Sequence, residues 1–226
     1  MKKIKKQITN NLIMVRPEHF DFNYETAENN HFQKEEKKLS KEKILKNAKN
    51  EFDNLYNKLI INKINVNVFN DRKKVRTTDS VFPNNWISLH QDGSVYVYPM
   101  FSENRRKERR FDIIEKLKKQ FEIKRVIDLS YFEKESVFLE GTGSMILDRQ
   151  NKICYAALSD RTNLIALNDF CNRALYNPVT FKSYQKVEGK INLIYHTNVM
   201  MCVADQYAIV CPVSYTHLTL PTSRSV

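Results

Sequence analysis

Glycine is scarce in this chain, with four in 226 residues. Two of the four, Gly141 and Gly143, lie directly after Glu140. Residues this free in φ are expected where the backbone turns sharply or comes close to a ligand. Cysteine also occurs four times, at Cys154, Cys171, Cys202 and Cys211, in apolar surroundings and without the spacing of a metal site. That favours buried, reduced thiols in a cytoplasmic protein. Long apolar runs are missing, so no segment reads as a membrane-spanning helix. Near the N-terminus the apolar stretch 12–15 is too short for a signal-peptide core.

Acidic residues are outnumbered, 26 against 37 Lys and Arg, which gives a net charge of +11 and a pI near 9.4. Such a balance invites a nucleic-acid partner, and the run RRKERR at 105–110 is its best support. Against it, the lysines are scattered among glutamates, as on solvated helix faces, and no aromatic–basic interleaving of an RNA-binding sheet is present. What remains is ordinary: 42% hydrophobic and 28% charged residues, enough to bury the core of one soluble domain.

Hydrophobic periodicity predicts alternating strands and helices. Strands are expected at 11–16, 66–69, 87–90, 95–98, 125–129, 145–148 and 152–157, then at 178–184, 192–195, 198–203 and 207–211. Gln91, Asp92 and Gly93 form a hairpin turn between two of them. The clearest helix covers 40–60, with Ser40 as N-cap and Ile44, Leu45, Ala48, Phe52, Leu55, Tyr56 and Leu59 at helical spacing. A second helix is expected over 108–121, with Phe111, Ile114, Leu117 and Phe121 on one stripe. A third spans 164–175, with Ser159 and Asp160 as cap candidates. The helices recur at roughly the spacing of one supersecondary unit, a pattern that equally suits an ordinary mixed α/β domain.

Glu140 lies in VFLEGTGSMILDR (137–149) and His196 in INLIYHTNVMMC (191–202), each in a short polar segment beside an apolar strand. A carboxylate and an imidazole placed this way make a general acid/base pair if the fold joins them. The plainer reading is a tight hairpin after one strand and a histidine capping the edge of another.

The C-terminal segment is expected to have a different origin. Residues 213–222 read VSYTHLTLPT, which is the translation of GTC TCT TAT ACA CAT CTG ACG CTG CCG ACG. That string resembles the end of an adapter used in transposase-based sequencing libraries. Residues 1–212 are therefore expected to be a C-terminally truncated catalytic domain, and 213–226 a non-native tail.

Four ordered motifs carry a family resemblance: TTDSVFPNNWISLHQDGSVYVYPM (77–100), FLEGTGSMILD (138–148), LSDRTN (158–163) and IYHTNVM (194–200). They resemble the arginine deiminase and amidinotransferase superfamily, most closely its bacterial branch of citrulline-utilization hydrolases. MVRP (14–17) and NRRKERR (104–110) resemble that branch too, and the likeness covers about residues 12–211. The resemblance implies an α/β fold, a pseudo-fivefold propeller of ββαβ modules around a substrate channel, here lacking its last module. It also implies a small amino-acid substrate and no metal or organic cofactor.

By the same resemblance, a cysteine thiolate attacks the central carbon of a guanidino or ureido group, and this cysteine belongs to the missing module. His196 is implied as the acid/base that protonates the leaving amine and later activates water. Glu140 is implied to orient the imidazole, and Arg161 to grip the substrate α-carboxylate through its planar fork. Arginine-acting relatives carry aspartates where this chain has Asn85 and Asn198. A guanidinium offers only donors and suits carboxylates, whereas an asparagine can pair with a neutral ureido group. The two asparagines therefore favour citrulline, cleaved to ornithine, carbon dioxide and ammonia. Asn84 and Asn85 could instead simply form a turn before Trp86. Asp79 either binds the substrate amino group or caps its own loop. The alternatives are a deiminase or amidinotransferase acting on a guanidino compound and, from a different class, a nucleic-acid-binding protein using Arg105 to Arg110.

Overall fold

One plan recurs along the chain: a strand, a helix and a return strand parallel to the first. The computed structural model describes residues 7–211 and the backbone of residues 215–216. β1 (Asn11–Arg16) leads through α1 (Tyr24–Ala27) and the long α2 (Lys41–Ile61) to β2 (Asn65–Asn70), which lies parallel to β1. The next unit adds a strand in front. β3 (Ile87–Leu89) and β4 (Ser94–Val97) form an antiparallel hairpin with Ile87 opposite Val97. α3 (Glu103–Arg106) and α4 (Phe111–Lys118) follow, and β5 (Arg125–Asp128) returns parallel to β4.

The third unit repeats the second. α5 (Gly141–Ser144) opens it, β6 (Met145–Asp148) and β7 (Ile153–Ala157) pair antiparallel, α6 (Leu164–Ala174) crosses over, and β8 (Asn177–Phe181) returns parallel to β7. β9 (Ser183–Val187) and β10 (Lys190–Leu193) form a further hairpin, and β11 (Met201–Val203) pairs with β12 (Ala208–Val210). β13 (Tyr215–Thr216) pairs with β9. The expected tail at 213–226 otherwise lies outside the described residues.

Strand orders β3-β4-β5 and β6-β7-β8 put the second strand of each hairpin in the middle of its sheet. β1 and β2 occupy the middle and return positions of the same plan, so β1 has one edge without a partner strand among the described residues. A cavity of about 1010 Å³ is lined by Asn11, Leu12 and Ile13 of β1 together with Ile87, Ser88 and Leu89 of β3.

The core follows the plan. All four residues of β4 are buried, as befits a middle strand covered on both faces. Val95 and Val97 pack with Trp86, Ile113, Ile114 and Leu117. Tyr96 and Tyr98, on the opposite face, join Leu139, Met145, Leu147, Leu167 and Phe170 in a second cluster. α2 contributes no fully buried residue, so its stability leans on its own sequence: Ser40 Oγ accepts from the Lys43 amide at 3.3 Å, and no glycine or proline interrupts it.

Several sequence-based expectations need correction. The second helix is 111–118 rather than 108–121, because Glu108 is drawn inward to pair with Arg105 and the chain bends there. Its buried stripe is Ile113, Ile114 and Leu117, while Phe111 is half exposed. Asn163, not Ser159 or Asp160, caps the third helix, accepting from the Ile165 amide at 2.8 Å. The strand expected at 178–184 is two strands, β8 and β9, interrupted at Lys182. Cys154 and Cys171 are buried as expected, but Cys202 and Cys211 are exposed, since their hairpin is among the least covered parts of the described chain. Among the described residues no helix is long and apolar enough to cross a membrane.

Candidate active site

Three short helical turns stand at equivalent places in the plan, each just before the first strand of a hairpin. Pro83–Asn85 precedes β3, α5 precedes β6, and Thr197–Val199 precedes β11. They supply Asn85, Glu140 and His196: the first ends its turn, and the other two sit at the N-caps of theirs. The polar segments read from sequence around Glu140 and His196 are thus buried caps rather than exposed loops.

Both glycines after Glu140 are required by contact. Gly141 adopts φ +46, and a β-carbon there would collide with the backbone oxygen of Asn84. A β-carbon at Gly143 would overlap Asn85 Nδ2 and lie 2.8 Å from both Cε1 and Nδ1 of His196. Gly143 is therefore the point where the Asn85 amide and the His196 ring converge.

Glu140 and His196 meet as the sequence suggested. His196 Nε2 lies 2.8 Å from Glu140 Oε2, and the other carboxylate oxygen accepts from the Phe101 amide at 3.0 Å. Glu140 is completely buried. Burial alone would raise its pKa, but the His196 bond and the Arg161 guanidinium, 3.5 Å away, outweigh it and hold the carboxyl at about 2. Burial also keeps His196 below its ordinary value, with Glu140 opposing. The resulting state is an ionised carboxylate accepting Nε2–H from a neutral imidazole, whose Nδ1 faces Gly143 with its lone pair free to take a proton.

Two arginines flank this pair. Arg161 donates to Asn29 Oδ1 and to the Thr26 carbonyl, and its guanidinium stacks 4.7 Å over the ring of Tyr195. It sits two residues before the cap of α6 and is fully buried. Arg105 donates to Asn85 Oδ1 at 2.8 Å and to Glu108 through two bonds of 3.0 and 2.9 Å. Burial pushes the Glu108 carboxyl up to about 7, against the pull of Arg105.

Of the residues named from sequence, Glu140, His196, Asn85 and Arg161 are brought together. Asp79 belongs to the same network from the far side of Arg105, 3.6 Å from its Nε, and accepts from Asn23 Nδ2 at 2.6 Å. Asn84 enters through its backbone, accepting from Thr142 Oγ1 at 3.4 Å. Asn198 stands apart: it is exposed and makes no side-chain hydrogen bond among the described residues. No group of three His, Cys, Asp or Glu side chains among the described residues could hold a metal ion.

The sequence profile of the family described as "N,N dimethylarginine dimethylhydrolase, eukaryotic" matches residues 16–219. The chain belongs to this family. Membership places it in the arginine deiminase and amidinotransferase superfamily, and solved structures share its mixed α/β fold. One is the N-terminal domain of ArgZ with a covalently bound reaction intermediate, at TM-score 0.60 and 17% identity over 87% of this chain and 64% of that one. ArgZ is described as an arginine dihydrolase from the ornithine–ammonia cycle in cyanobacteria. Unliganded AgrE gives 0.62 and 19%, over 87% of this chain and 26% of that one. A dimethylarginine dimethylaminohydrolase adduct with S-methyl-L-thiocitrulline gives 0.54 and 15%, over 76% and 61%. This family member therefore spans less than two thirds of those neighbours. No curated protein sequence matches it.

Sequence reading of this family member missed Arg105 and Glu108, which lay hidden inside a run taken as a basic surface patch. Their opposite charges at i,i+3 spacing were the available signal. The other arginines of that run are also engaged: Arg106 donates to the Met100 carbonyl, Arg109 pairs with Glu133, and Arg110 with Asp112. The feature on which the nucleic-acid alternative rested is thus committed to internal contacts.

The depressed Glu140 pKa has a measurable consequence. An acid whose folded pKa lies below its unfolded value of 4.5 contributes stability that is full above 4.5 and lost as pH falls toward 2. The contribution is on the order of 3 kcal/mol. Urea melts of the wild type should weaken across that window, and those of Glu140→Gln should weaken less steeply. Parallel curves would show that Glu140 is not held ionised.

Proposed function

We propose that the chain is most of a hydrolase that cleaves a C–N bond in the ureido group of citrulline, giving ornithine, carbon dioxide and ammonia. The observation that carries this reading is the Glu140–His196 bond of 2.8 Å, which leaves Nδ1 as the proton-exchanging atom beside Asn85. A cysteine thiol passes its proton to His196 Nδ1 as its sulfur attacks the ureido carbon, and His196 hands that proton to the nitrogen that leaves as ammonia. It then takes one from the water that cleaves the thiocarbamate. The carbamate so released decomposes to ornithine and carbon dioxide. Cys154 and Cys171 lie in the hydrophobic core and Cys202 and Cys211 on an exposed hairpin. On the family resemblance, the attacking cysteine is assigned to sequence that would follow Cys211 in place of the tail at 213–226.

The recurring plan supports a ring of five ββαβ modules around the three turns. The cavity beside β1 is where the antiparallel strand of the first unit fits. Arg161 is assigned to the substrate carboxylate, exchanging Asn29 and Thr26 for it, and Asp79 to the amino group. Buried hydroxyls of Thr78 and Ser80, on either side of Asp79, have no hydrogen-bond partner among the described residues, which suits a polar ligand there. Asn198 is assigned to the substrate on the family resemblance alone. The enzyme is expected to work in the cytoplasm without a cofactor.

A second reading is favoured by the family match itself: a guanidino substrate such as arginine or dimethylarginine. The deciding experiment expresses the uninterrupted gene and follows ornithine, ammonia and amine release from citrulline, arginine and dimethylarginine. Ornithine from citrulline is the expected result. Turnover of the guanidino compounds alone would replace the first reading by the second, and no turnover of any of them would remove both.

A further inference from the structure

Two fully buried hydroxyls, those of Ser144 and Thr197, adjoin the Glu140–His196 pair. Ser144 ends α5. Its Oγ accepts from the Glu140 amide at 2.9 Å and donates to the Arg161 carbonyl at 2.7 Å. Thr197 follows His196 directly. Its Oγ1 accepts from the Ala157 amide, at the end of β7, at 2.8 Å and donates to the Ser144 carbonyl. Each hydroxyl thus uses its donor and an acceptor site, and all four bonds end on backbone groups. Together they tie the three segments that carry Glu140, Arg161 and His196. Branching at the Thr197 β-carbon keeps χ1 stiff, which holds its hydroxyl on both partners.

A buried amide or carbonyl that loses its partner stays unpaired or shifts to find another, so these turns depend on the hydroxyls for their spacing. The two losses differ in reach. Without the Ser144 hydroxyl, the Glu140 amide still has the Arg161 carbonyl at 3.2 Å. Glu140 therefore stays, while the Arg161 carbonyl loses one of its two donors. Without the Thr197 hydroxyl, the turn after His196 loses its side-chain ties to β7 and to α5, where Gly143 meets the ring.

We propose that Ser144 and Thr197 are positioning residues with separate duties: Ser144 places Arg161 against Glu140 for substrate binding, and Thr197 places the His196 ring for proton transfer. This rests on the reading of the site as a C–N hydrolase pocket and deepens it by adding the residues that set its spacing.

Both duties are read on the complete enzyme from the uninterrupted gene, with citrulline or whichever guanidino compound it turns over. Ser144→Ala should raise KM about tenfold and leave kcat within about threefold. Thr197→Val keeps the shape and removes the hydroxyl. It should lower kcat about thirtyfold and leave KM within about threefold. The limb of the kcat–pH profile that reports His196 should move in Thr197→Val and stay in place in Ser144→Ala. Thr197→Ser restores the hydroxyl and should recover most of the kcat. A merely structural role would lower kcat in both variants with KM and the pH limb unchanged, and that outcome overturns the proposal. If Thr197→Val or Ser144→Ala does not fold, Thr197→Cys and Ser144→Cys keep a weaker donor and should show the same split on a smaller scale. Titration of the His196 ring followed by NMR needs no substrate. It should shift in Thr197→Val and match the wild type in Ser144→Ala, and equal titrations in all three proteins would also overturn the proposal. No turnover of any of the compounds would sink the hydrolase reading, and the ring titration would still decide the role of Thr197.

Discussion

Replacing His196 by alanine should lower turnover of the complete enzyme by about two to four orders of magnitude, the usual worth of a positioned acid/base. The size follows from the two duties assigned to one atom. Nδ1 first protonates the departing amine and then deprotonates water, so its loss slows both halves of the reaction. The ring cannot be replaced in place by another base, because it is 3% exposed and wedged against Gly143. Glu140→Gln should be nearly as severe. A glutamine offers His196 no charge, and its amide can donate to Nε2, which would move the ring proton to Nδ1 and block the basic position. Cys202→Ser should be mild, since that side chain is exposed on β11. Steady-state kinetics on these three variants checks the assignment, and full turnover by His196→Ala would refute it.

How much of this was legible in the sequence depends on the range of the contacts involved. Local signals were read well. Ser40 caps α2, Gln91-Asp92-Gly93 turns the β3–β4 hairpin, and most strands up to β7 lie within a residue or two of their expected places, whereas the strand expected at 198–203 is a helical turn at Thr197–Val199 followed by the short β11. Where expectation failed, a distant partner had intervened. Glu108 left the helix pattern because Arg105 is buried beside it, and Phe111 is exposed because helix α4 starts later than its apolar stripe suggested.

The candidate site divides along the same line. Glu140, Asn85, Arg161 and His196 could be named because short motifs carry them. Their joining could not be read, since it depends on three turns separated by more than fifty residues each. In RRKERR the only local hint at Arg105 is its i,i+3 pairing with Glu108, which solvated helix faces show just as often. Only the fold supplies Asp79, Asn85 and Glu140 as its surroundings.

The 226-residue chain as it stands should be inactive on citrulline and arginine, and it should self-associate. Its terminal hairpin exposes Tyr207, Ile209 and Val210 to 64%, 59% and 41%, and Ile191 on β10 is 69% exposed. β1 adds an edge without a partner strand among the described residues, flanked by the apolar side chains of Leu12 and Ile13. An open strand edge beside apolar surface is a template for pairing with another chain. If the proposed ring of ββαβ modules holds, sequence following Cys211 should cover both features at once, since that plan gives β12 a helix and return strand and β1 an antiparallel partner. The expected result is a broad, concentration-dependent elution and a weakly cooperative melt for the 226-residue chain, against a single species for the complete one. Resequencing the source locus by an adapter-free method should replace residues 213–226 and reveal a cysteine in the added segment. A monomeric 226-residue protein that melts sharply and releases ornithine would defeat this, and would return Cys202 and Cys211 to consideration as nucleophiles.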